Sequence, residues 1–298
     1  MDQVKVQLDI SKPHTQTLDI TITWHPSSRD QRISMPIWTP GSYKVRDHAQ
    51  NIYSMYLYQG NNKLRLEREE TNSWRVTLDK TEELKLVYKL RAVDFTVRTC
   101  YIDDEICSLA LSAAICLIEE KRDVKHYLEV LSPKTWKVYV PLIHKSFFLA
   151  KNYDHLVDSP VHSGLLNKFD LSVRSFHHQL IVSGSDHYSI NHKFLSDVSS
   201  ICEAACNLVD QDPPSENLYQ IILHLVDKGY GGLEHDDSTV LLYSWNDLDN
   251  EDNYRKLLQL IGHEYLHQWN VRRLRPIEYN TYNYNKPVIT DSLWFAEG

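Results

Sequence analysis

The feature that most constrains the fold is a two-residue alternation of apolar and polar side chains through the N-terminal half of the chain. Apolar residues at every second position of an extended strand face one side, so this period predicts strands with one buried face. The alternation continues from the start to about residue 158 and predicts an all-β, sandwich-like domain there. The clearest runs are Val4-Val6-Leu8-Ile10, Leu18-Ile20-Ile22-Trp24, Trp74-Val76-Leu78 and Trp136-Val138-Val140.

Two shorter features add detail to this first domain. Gly60-Asn61-Asn62 separates two apolar runs, and these residue types tolerate positive φ, so a hairpin turn is predicted there. The longest apolar run, Ile106 to Ile118, is shorter than the roughly 20 residues of a membrane-spanning helix, and two serines interrupt it. We therefore expect this run to lie in a buried core, and we expect no membrane contact.

The strand pattern continues from Phe169 to Val182, and from Phe194 onward the apolar period changes to three and four, so that strands and helices are predicted for residues 159–298. The chain is thus expected to contain two domains, 1–158 and 159–298, and to belong to the α+β class. The predicted segments of the second domain are a helix from Phe194 to Val209, a strand from Tyr219 to Val226, a glycine turn from Gly229 to Gly232, a strand from Thr239 to Tyr243, and a helix from Tyr254 to Leu266 capped by Asp249, Asn250 or Asp252.

Composition and charge limit the number of domains, the kind of partner and the cellular compartment. A chain of 298 residues with 42% hydrophobic residues is large enough for two domains with separate cores. The net charge is −8 and basic residues form no long block, so nucleic acid is not expected as a partner. The N-terminus lacks a secretory signal pattern, and the five cysteines show no CxxC spacing, which suits reduced thiols. We therefore expect a cytoplasmic protein.

The motif that indicates chemistry is His263-Glu264-Tyr265-Leu266-His267, inside the last predicted helix. Two histidines four residues apart project from the same helix face, so both imidazoles can reach one ion at roughly 2.0–2.1 Å. Glu264 is displaced by about 100° around the helix axis, which suits contact with a water at the ion better than ligation. The pattern predicts a zinc site in which Glu264 is the general base.

A catalytic zinc needs a third protein ligand and an open position for water. A metzincin would carry a further histidine six residues after His267, and Arg273 stands there instead, so that class is excluded. The carboxylates downstream are Glu278, Asp291 and Glu297. We favour Glu297, because its apolar surroundings could begin a second helix packed on the first.

Longer motifs around these residues resemble the glycyl aminopeptidase family, gluzincin metallopeptidases that are related to the alanyl aminopeptidases. The stretch from His263 to Pro276 reads HEYLHQWNVRRLRP and closely resembles the family's HEYxHxWNVKRxRP, with Arg272 where lysine is usual. The stretch from Leu293 to Gly298 is similar to the family's LWxxEG, and Tyr230 to His235 carries a GGLEH motif. Trp38 to Tyr43, WTPGSY, is a further match, so the resemblance extends from about residue 36 to the last residue.

The resemblance implies a fold and a set of zinc ligands. The N-terminal β-domain would be followed by the first part of a thermolysin-like, gluzincin peptidase domain. His263, His267 and Glu297 would hold one Zn²⁺ per chain, and Glu264 would be the catalytic base. The implied enzyme is a zinc aminopeptidase.

The resemblance also implies how a substrate binds. Gly231, Gly232 and Glu234 are similar to an exopeptidase motif in which an edge strand runs beside the substrate and the glutamate binds its free α-amino group. A carboxylate that faces an ammonium group makes a charge-assisted hydrogen bond, and this contact places the scissile bond one residue from the N-terminus. The expected partner is a peptide with a free N-terminus, and the expected terminal residues are small, glycine or alanine.

Two alternative functions remain open from the sequence. One is an endopeptidase on the same scaffold, and the other is a non-catalytic, truncated zincin that binds peptides or a partner protein. The chain ends one residue after Glu297, whereas the family's peptidase domain continues. We therefore expect a truncated protein or a fragment, with the missing C-terminal part of the peptidase as a possible partner.

Overall fold

The structure is a computed structural model that describes residues 2–215 and 218–297, except for the side chain of Asp247. The chain forms two compact units. The first comprises the residues up to Gly164 together with Asn283–Val288, and the second comprises Leu165–Tyr282 and the residues from Ile289 onward. The domain boundary expected from the sequence, between residues 158 and 159, lies shortly before Gly164, after which the chain first passes from the first unit to the second.

The first unit is built mainly from strands. Its large sheet has the order β14-β15-β12-β1-β2-β8-β4-β5, and two smaller sheets have the orders β13-β16-β10-β9 and β11-β3-β7-β6. These strands and the short helix α1 are β1 (Gln3–Asp9), β2 (Thr17–Trp24), β3 (Asp30–Ser34), β4 (Ile52–Gln59), β5 (Asn62–Leu64), β6 (Glu67–Glu70), β7 (Ser73–Thr77), β8 (Leu84–Arg91), β9 (Cys100–Ile102), β10 (Ile106–Leu109), β11 (Leu117–Ile118), β12 (Lys125–Leu131), β13 (Lys137–Tyr139), β14 (Ile143–His144), β15 (Phe148–Ala150), α1 (Tyr153–Val157) and β16 (Val161–Gly164).

The large sheet accounts for the alternation in the sequence. Strands β1, β2 and β8 each bury every second side chain. Their register places Val6 opposite Ile22 and Ile22 opposite Leu86, and all three side chains are almost fully buried. Buried residues of neighbouring strands therefore share one face of the sheet, as the two-residue period predicts.

Two smaller predictions for the first unit are confirmed. Strands β4 and β5 form a hairpin in which Gln59 lies opposite Asn62, and Gly60 has a φ of +55°. The run from Ile106 to Ile118 is buried along its whole length. Within the described part of the chain, no helix is both long enough and apolar enough to cross a membrane.

The second unit combines a mixed sheet with helices, which confirms the α+β class. The sheet order is β17-β18-β19-β21-β20, with β18, β19 and β21 parallel and the outer pairs antiparallel. Its elements are β17 (Asn167–Val173), β18 (Phe176–Ser183), α2 (His192–Val209), β19 (Tyr219–Val226), β20 (Tyr230–Glu234), β21 (Ser238–Ser244), α3 (Glu251–Leu266) and α4 (Leu293–Glu297).

Helices α2 and α3 cover this sheet and share its core. Phe194 of α2, Leu223 of β19 and Ile261 of α3 belong to one cluster of buried side chains. Strand β19 is buried along nearly its whole length, as expected for a central parallel strand. The predicted bounds of this strand, Tyr219 to Val226, are the observed ones.

The predicted glycine turn from Gly229 to Gly232 is wrong from Tyr230 onward, because of these four residues only Gly229 lies in the connection between β19 and β20. Gly231 and Gly232 lie inside strand β20, where they pair with Leu242 and Leu241 of β21. Glycine-rich stretches usually form turns, because glycine adopts positive φ at no steric cost. Here a glycine is needed for close approach to a neighbouring side chain, and β20 forms an edge of the sheet.

The segment Asn283–Val288, which lies between α3 and α4 in sequence, belongs to the first unit. Trp38 Nε1 donates to the carbonyl of Asn283 at 2.9 Å. The hydroxyl of Tyr284, which is 2% exposed, donates to the Asp154 carboxylate at 3.0 Å. Trp38 opens the WTPGSY motif, so this motif helps to anchor the segment.

Candidate functional site

Helix α3 presents the HExxH residues because its N-terminus and its apolar face are both fixed. The Asn250 side chain accepts a hydrogen bond from the Asp252 N–H, so Asn250 is the cap among the three candidates. Leu257 and Ile261 are fully buried. With this face in the core, helical geometry turns His263 toward a different side of the helix.

The hydroxyl of Tyr265, the central residue of the motif, also fixes the helix. It lies 2.9 Å from Nε2 of His178, which is on strand β18. The His178 Nδ1–H donates to the Phe176 carbonyl at 3.0 Å, so Nε2 accepts from the tyrosine. Burial lowers the pKa of His178 to about 4, which keeps the imidazole neutral and able to accept.

The two histidines of the motif face each other at a distance that suits one metal ion. His263 Nε2 and His267 Nε2 are 3.1 Å apart. Two ligand atoms of a tetrahedral zinc site are about 3.3 Å apart when each bond is about 2.0 Å. The Asn270 carbonyl lies 3.3 Å from His267 Nδ1, so Nδ1–H donates there and Nε2 keeps its lone pair for the ion.

Glu297, on α4, completes a group of three side chains that could hold a metal ion. Its Oε2 lies 3.5 Å from His263 Nε2 and 3.8 Å from His267 Nε2. The nearest point equidistant from these three atoms is about 2.0 Å from each, which is close to the length of a zinc–ligand bond. Within the described residues, the groups able to hold a metal contain neither Glu278 nor Asp291, the other carboxylates considered from the sequence.

The donor set and the electrostatics of this site both suit a divalent cation. Two imidazoles and one carboxylate are ligands typical of catalytic zinc. A hydrogen bond to Glu297 raises the pKa of His263, although partial burial lowers it. The side chains of His263 and Glu297 are 42% and 37% exposed, whereas that of His267 is 4% exposed. The residues present therefore fit the predicted ion, and solvent reaches it from the His263 side.

Glu264 lies against the edge strand β20. Its side chain is buried, and it passes so close to Gly232 that a Cβ atom there would overlap its carboxylate. A glycine at position 232 is thus what allows the carboxylate to lie beside the strand. The structure places one side-chain ligand atom of Glu264 within 4.8 Å of one such atom of Glu234 and one of His267. Glu264 is therefore next to His267, one of the candidate metal ligands.

Glu234 ends strand β20 and is 4% exposed. Its Oε1 has no hydrogen-bond partner among the residues that the structure describes. Two buried carboxylates within 4.8 Å of each other are costly unless a cation or donor lies between them. Glu234 and Glu264 therefore line a buried recess at the edge strand that suits a cation or a hydrogen-bond donor.

Arg272 stabilises the loop that follows β20. Its Nε lies 2.8 Å from the Asp236 carboxylate, and its side chain is 3% exposed. Burial raises the pKa of Asp236, but Arg272, with Arg273 and Arg275, brings it below its usual value. This position, where the family usually has lysine, therefore carries a buried guanidinium whose ion pair with the partly exposed Asp236 ties the segment after α3 to the β20–β21 loop.

Asn270 is the site residue whose role the sequence did not indicate. Its Nδ2 lies 3.2 Å from the carbonyl oxygens of Phe295 and Ala296, directly before Glu297. In the sequence it is one member of a matching motif just after α3. The contact depends on how α4 folds back onto the end of α3, which local patterns do not show.

The chain is similar over nearly its whole length to one solved structure. This is an aminopeptidase N family protein from Idiomarina loihiensis, with a TM-score of 0.93 and 29% identity. The match covers 99% of this chain and 52% of that one, so the chain spans about half the length of this relative. A search of the curated proteins finds no match.

More distant structures share the fold. An M1 zinc metallopeptidase from Deinococcus radiodurans matches with a TM-score of 0.51 and 11% identity, over 90% of this chain and 63% of that one. A mutant form of it, bound to a Tyr-Ser-Ala substrate, matches with a TM-score of 0.54 and 11% identity over the same shares of the two chains.

Family models match both ends of the chain. The model of the peptidase M61 N-terminal domain matches residues 5–165, and the model of the M61 glycyl aminopeptidase matches residues 256–298. The second match includes the HExxH motif and Glu297. The first match alone spans more than half of the chain, and the chain therefore belongs to the M61 family of peptidases.

Proposed function

We propose that this chain carries the active site of a zinc-dependent aminopeptidase that removes N-terminal residues from peptides. The observation that supports this best is the convergence of His263 Nε2, His267 Nε2 and Glu297 Oε2 around one point, with the Glu264 carboxylate beside it. The arrangement fits one Zn²⁺ per chain. The ion, when bound, would act as a Lewis acid that activates a water and polarises the scissile carbonyl.

The residues around the ion carry out the remaining steps of hydrolysis. Glu264 takes a proton from the attacking water and delivers it to the nitrogen of the leaving amine. Its buried position beside Gly232 holds the carboxylate in place for both transfers. His267 is held by the Asn270 carbonyl, so its ring keeps its orientation throughout the reaction.

Cleavage next to a free N-terminus is supported by the recess that Glu234 and Glu264 form. The Glu234 carboxylate is buried, and an α-ammonium group would supply the missing positive charge. The edge strand β20 leads to this recess, so a peptide lying along the strand would bring its N-terminus to Glu234. A preference for terminal glycine is supported by the glycyl aminopeptidase model that matches residues 256–298, and terminal alanine, a similarly small residue, is proposed with it.

The first experiment tests the metal. Zinc content and affinity are measured for the wild-type chain, His263→Ala and the control His177→Ala, whose imidazole pairs with Asp170 away from the site. We expect near-stoichiometric zinc in the wild type and the control, and loss of zinc in His263→Ala. A folded wild-type chain that binds no zinc would contradict the proposal and favour the peptide-binding, non-catalytic alternative.

The second experiment tests the reaction. Glycyl and alanyl peptides are offered with free and with acetylated N-termini. We expect cleavage of the free peptides, a loss of about 10²–10⁴-fold in Glu264→Gln with zinc retained, and loss of free-amine preference in Glu234→Gln. Equal cleavage of free and acetylated peptides would favour the endopeptidase alternative. Zinc binding with no hydrolysis would favour the binding module.

A further inference from the structure

Asn270 contacts both sides of the metal site. Its backbone carbonyl accepts the Nδ1–H of His267 at 3.3 Å. Its side-chain Nδ2 donates to the carbonyls of Phe295 and Ala296, both at 3.2 Å. A single residue thus joins a histidine ligand to the two peptide groups that precede Glu297.

Helix α4 buries little apolar surface that could fix it by packing. It spans five residues, and Ala296 is its buried side chain among those described. Trp294 and Phe295 are 76% and 49% exposed. Helices of this length are not stable in isolation, because nucleation costs more than so few hydrogen bonds return. The direction in which Glu297 projects therefore depends on polar contacts to its backbone.

The chemistry of these contacts is specific to a carboxamide. The Nδ2 group has two N–H donors, which is one for each of the two carbonyls. Aspartate at this position would present acceptors to acceptors, and leucine has a similar volume but no donor. The function of the side chain can therefore be removed while most of its packing is kept.

We propose that Asn270 is a positioning residue that holds Glu297 in ligating range of the ion bound by His263 and His267. This inference rests on the proposed zinc site and adds to it the residue that sets the third ligand. Oε2 of Glu297 lies within 3.8 Å of both imidazoles, and the amide of Asn270 binds the two peptide groups directly before it, so the amide contacts favour this position of the carboxylate.

The test measures zinc affinity by competition with a chelator in the full chain, with Asn270→Leu, Asn270→Gln and Glu297→Gln as variants. Outer partners of metal ligands typically contribute about 10–100-fold to affinity, and we expect a loss of this size in Asn270→Leu. Asn270→Gln keeps the amide and should recover part of the loss. The matched control is Asn280→Leu, at an exposed position outside the site, which should bind like the wild type.

A double-mutant cycle separates positioning from general damage to the fold. In the Glu297→Gln background, Asn270→Leu should change affinity by less than about twofold, since the ligand through which it acts is already lost. The visible spectrum of the Co²⁺-substituted protein should change alike in Asn270→Leu and Glu297→Gln, which marks the loss of the same ligand.

Three results would overturn the inference. Unchanged zinc affinity in Asn270→Leu would do so and leave the proposed function standing. An equal loss in the two backgrounds would do so as well, because it would assign Asn270 a general structural role. A wild-type chain that binds no zinc would overturn both this inference and the proposed function.

Discussion

The two sides of the candidate metal site are held in different ways. Helix α3 has 16 residues, an asparagine cap, and an apolar face that lies in the core of the second unit. Helix α4 has five residues, and Trp294 and Ile289, on and before it, are 76% and 81% exposed. The histidines and the base are therefore placed by the fold, whereas Glu297 is placed by hydrogen bonds to a short segment.

From this difference we expect that substitutions can change metal affinity, catalysis and stability separately. Substitutions behind α3 should disturb the fold, and substitutions at the β20 contact should disturb the base while the ligands stay in place. Substitutions around α4 should alter the metal and leave stability nearly unchanged.

The largest expected effect is that of Gly232→Ala. The added Cβ would overlap the carboxylate of Glu264 and push it away from the edge strand. Misplacing a general base costs about 10²–10⁴-fold, so kcat for glycyl and alanyl peptides should fall by this factor. Zinc content should stay at the wild-type level, because none of the three ligands is touched. Steady-state kinetics on zinc-loaded protein provide the measurement.

Gly262→Ala is the matched control, since this glycine lies on α3 next to His263. A Cβ there would meet Ile201 at an ordinary contact distance of 3.7 Å. Alanine in a helix interior is favoured over glycine by about 0.5–1 kcal/mol, so this variant should be active and slightly more stable. Equal activity in the two variants would show that Glu264 does not depend on close approach to β20.

The next effect compares the apolar residues of the two helices. Ile261 of α3 is fully buried, so Ile261→Ala should lower the free energy of unfolding by about 2–5 kcal/mol. Trp294 of α4 is 76% exposed, so Trp294→Ala should change it by less than about 0.5 kcal/mol. Urea unfolding of the metal-free protein measures both. A large loss in Trp294→Ala would mean that α4 is held by packing after all.

Much of the fold could be predicted from the sequence, because the decisive patterns are local. The alternation around Val6 and Ile22 indicates strands without any knowledge of their partners. Three- and four-residue spacing likewise indicates α2 and α3. The crossing of Asn283–Val288 into the first unit was not predictable, since it depends on contacts such as that of Trp38 with a residue far along the chain.

The same distinction between local patterns and contacts with distant residues applies to the candidate site. The HExxH spacing fixes the relation of His263, Glu264 and His267 within one helix, and the structure also brings Glu297 to them. The glycine spacing alone predicts a turn, because the need for a glycine at 232 comes from Glu264, on another element. The role of Asn270 depends on α4 in the same way.

The smallest expected difference between a variant and its matched control concerns the hydrogen bond between Tyr265 of α3 and His178. Tyr265→Phe leaves a buried imidazole nitrogen without its donor and should cost about 1–3 kcal/mol of unfolding free energy near neutral pH. Tyr219→Phe is the matched control. Its hydroxyl is buried, without a hydrogen-bond partner in the described parts of the chain, so its removal should be neutral or stabilising.

The effect of Tyr265→Phe should also depend on pH. The pKa of His178 is lowered from 6.5 to about 4, mainly by burial, with His177 adding to this and the Phe176 carbonyl opposing it. Between these two pH values the unfolded chain binds a proton that the folded chain does not. The contribution of His178 to the free energy of unfolding is therefore complete above about pH 6.5 and declines toward pH 4.

The tyrosine donates to the neutral imidazole, so its loss raises the pKa of His178 and weakens the decline of stability with falling pH. Urea unfolding from about pH 7 to 4.5 should therefore show the two proteins converging. A constant difference would show that the Tyr265 hydroxyl does not hold His178 in its neutral form.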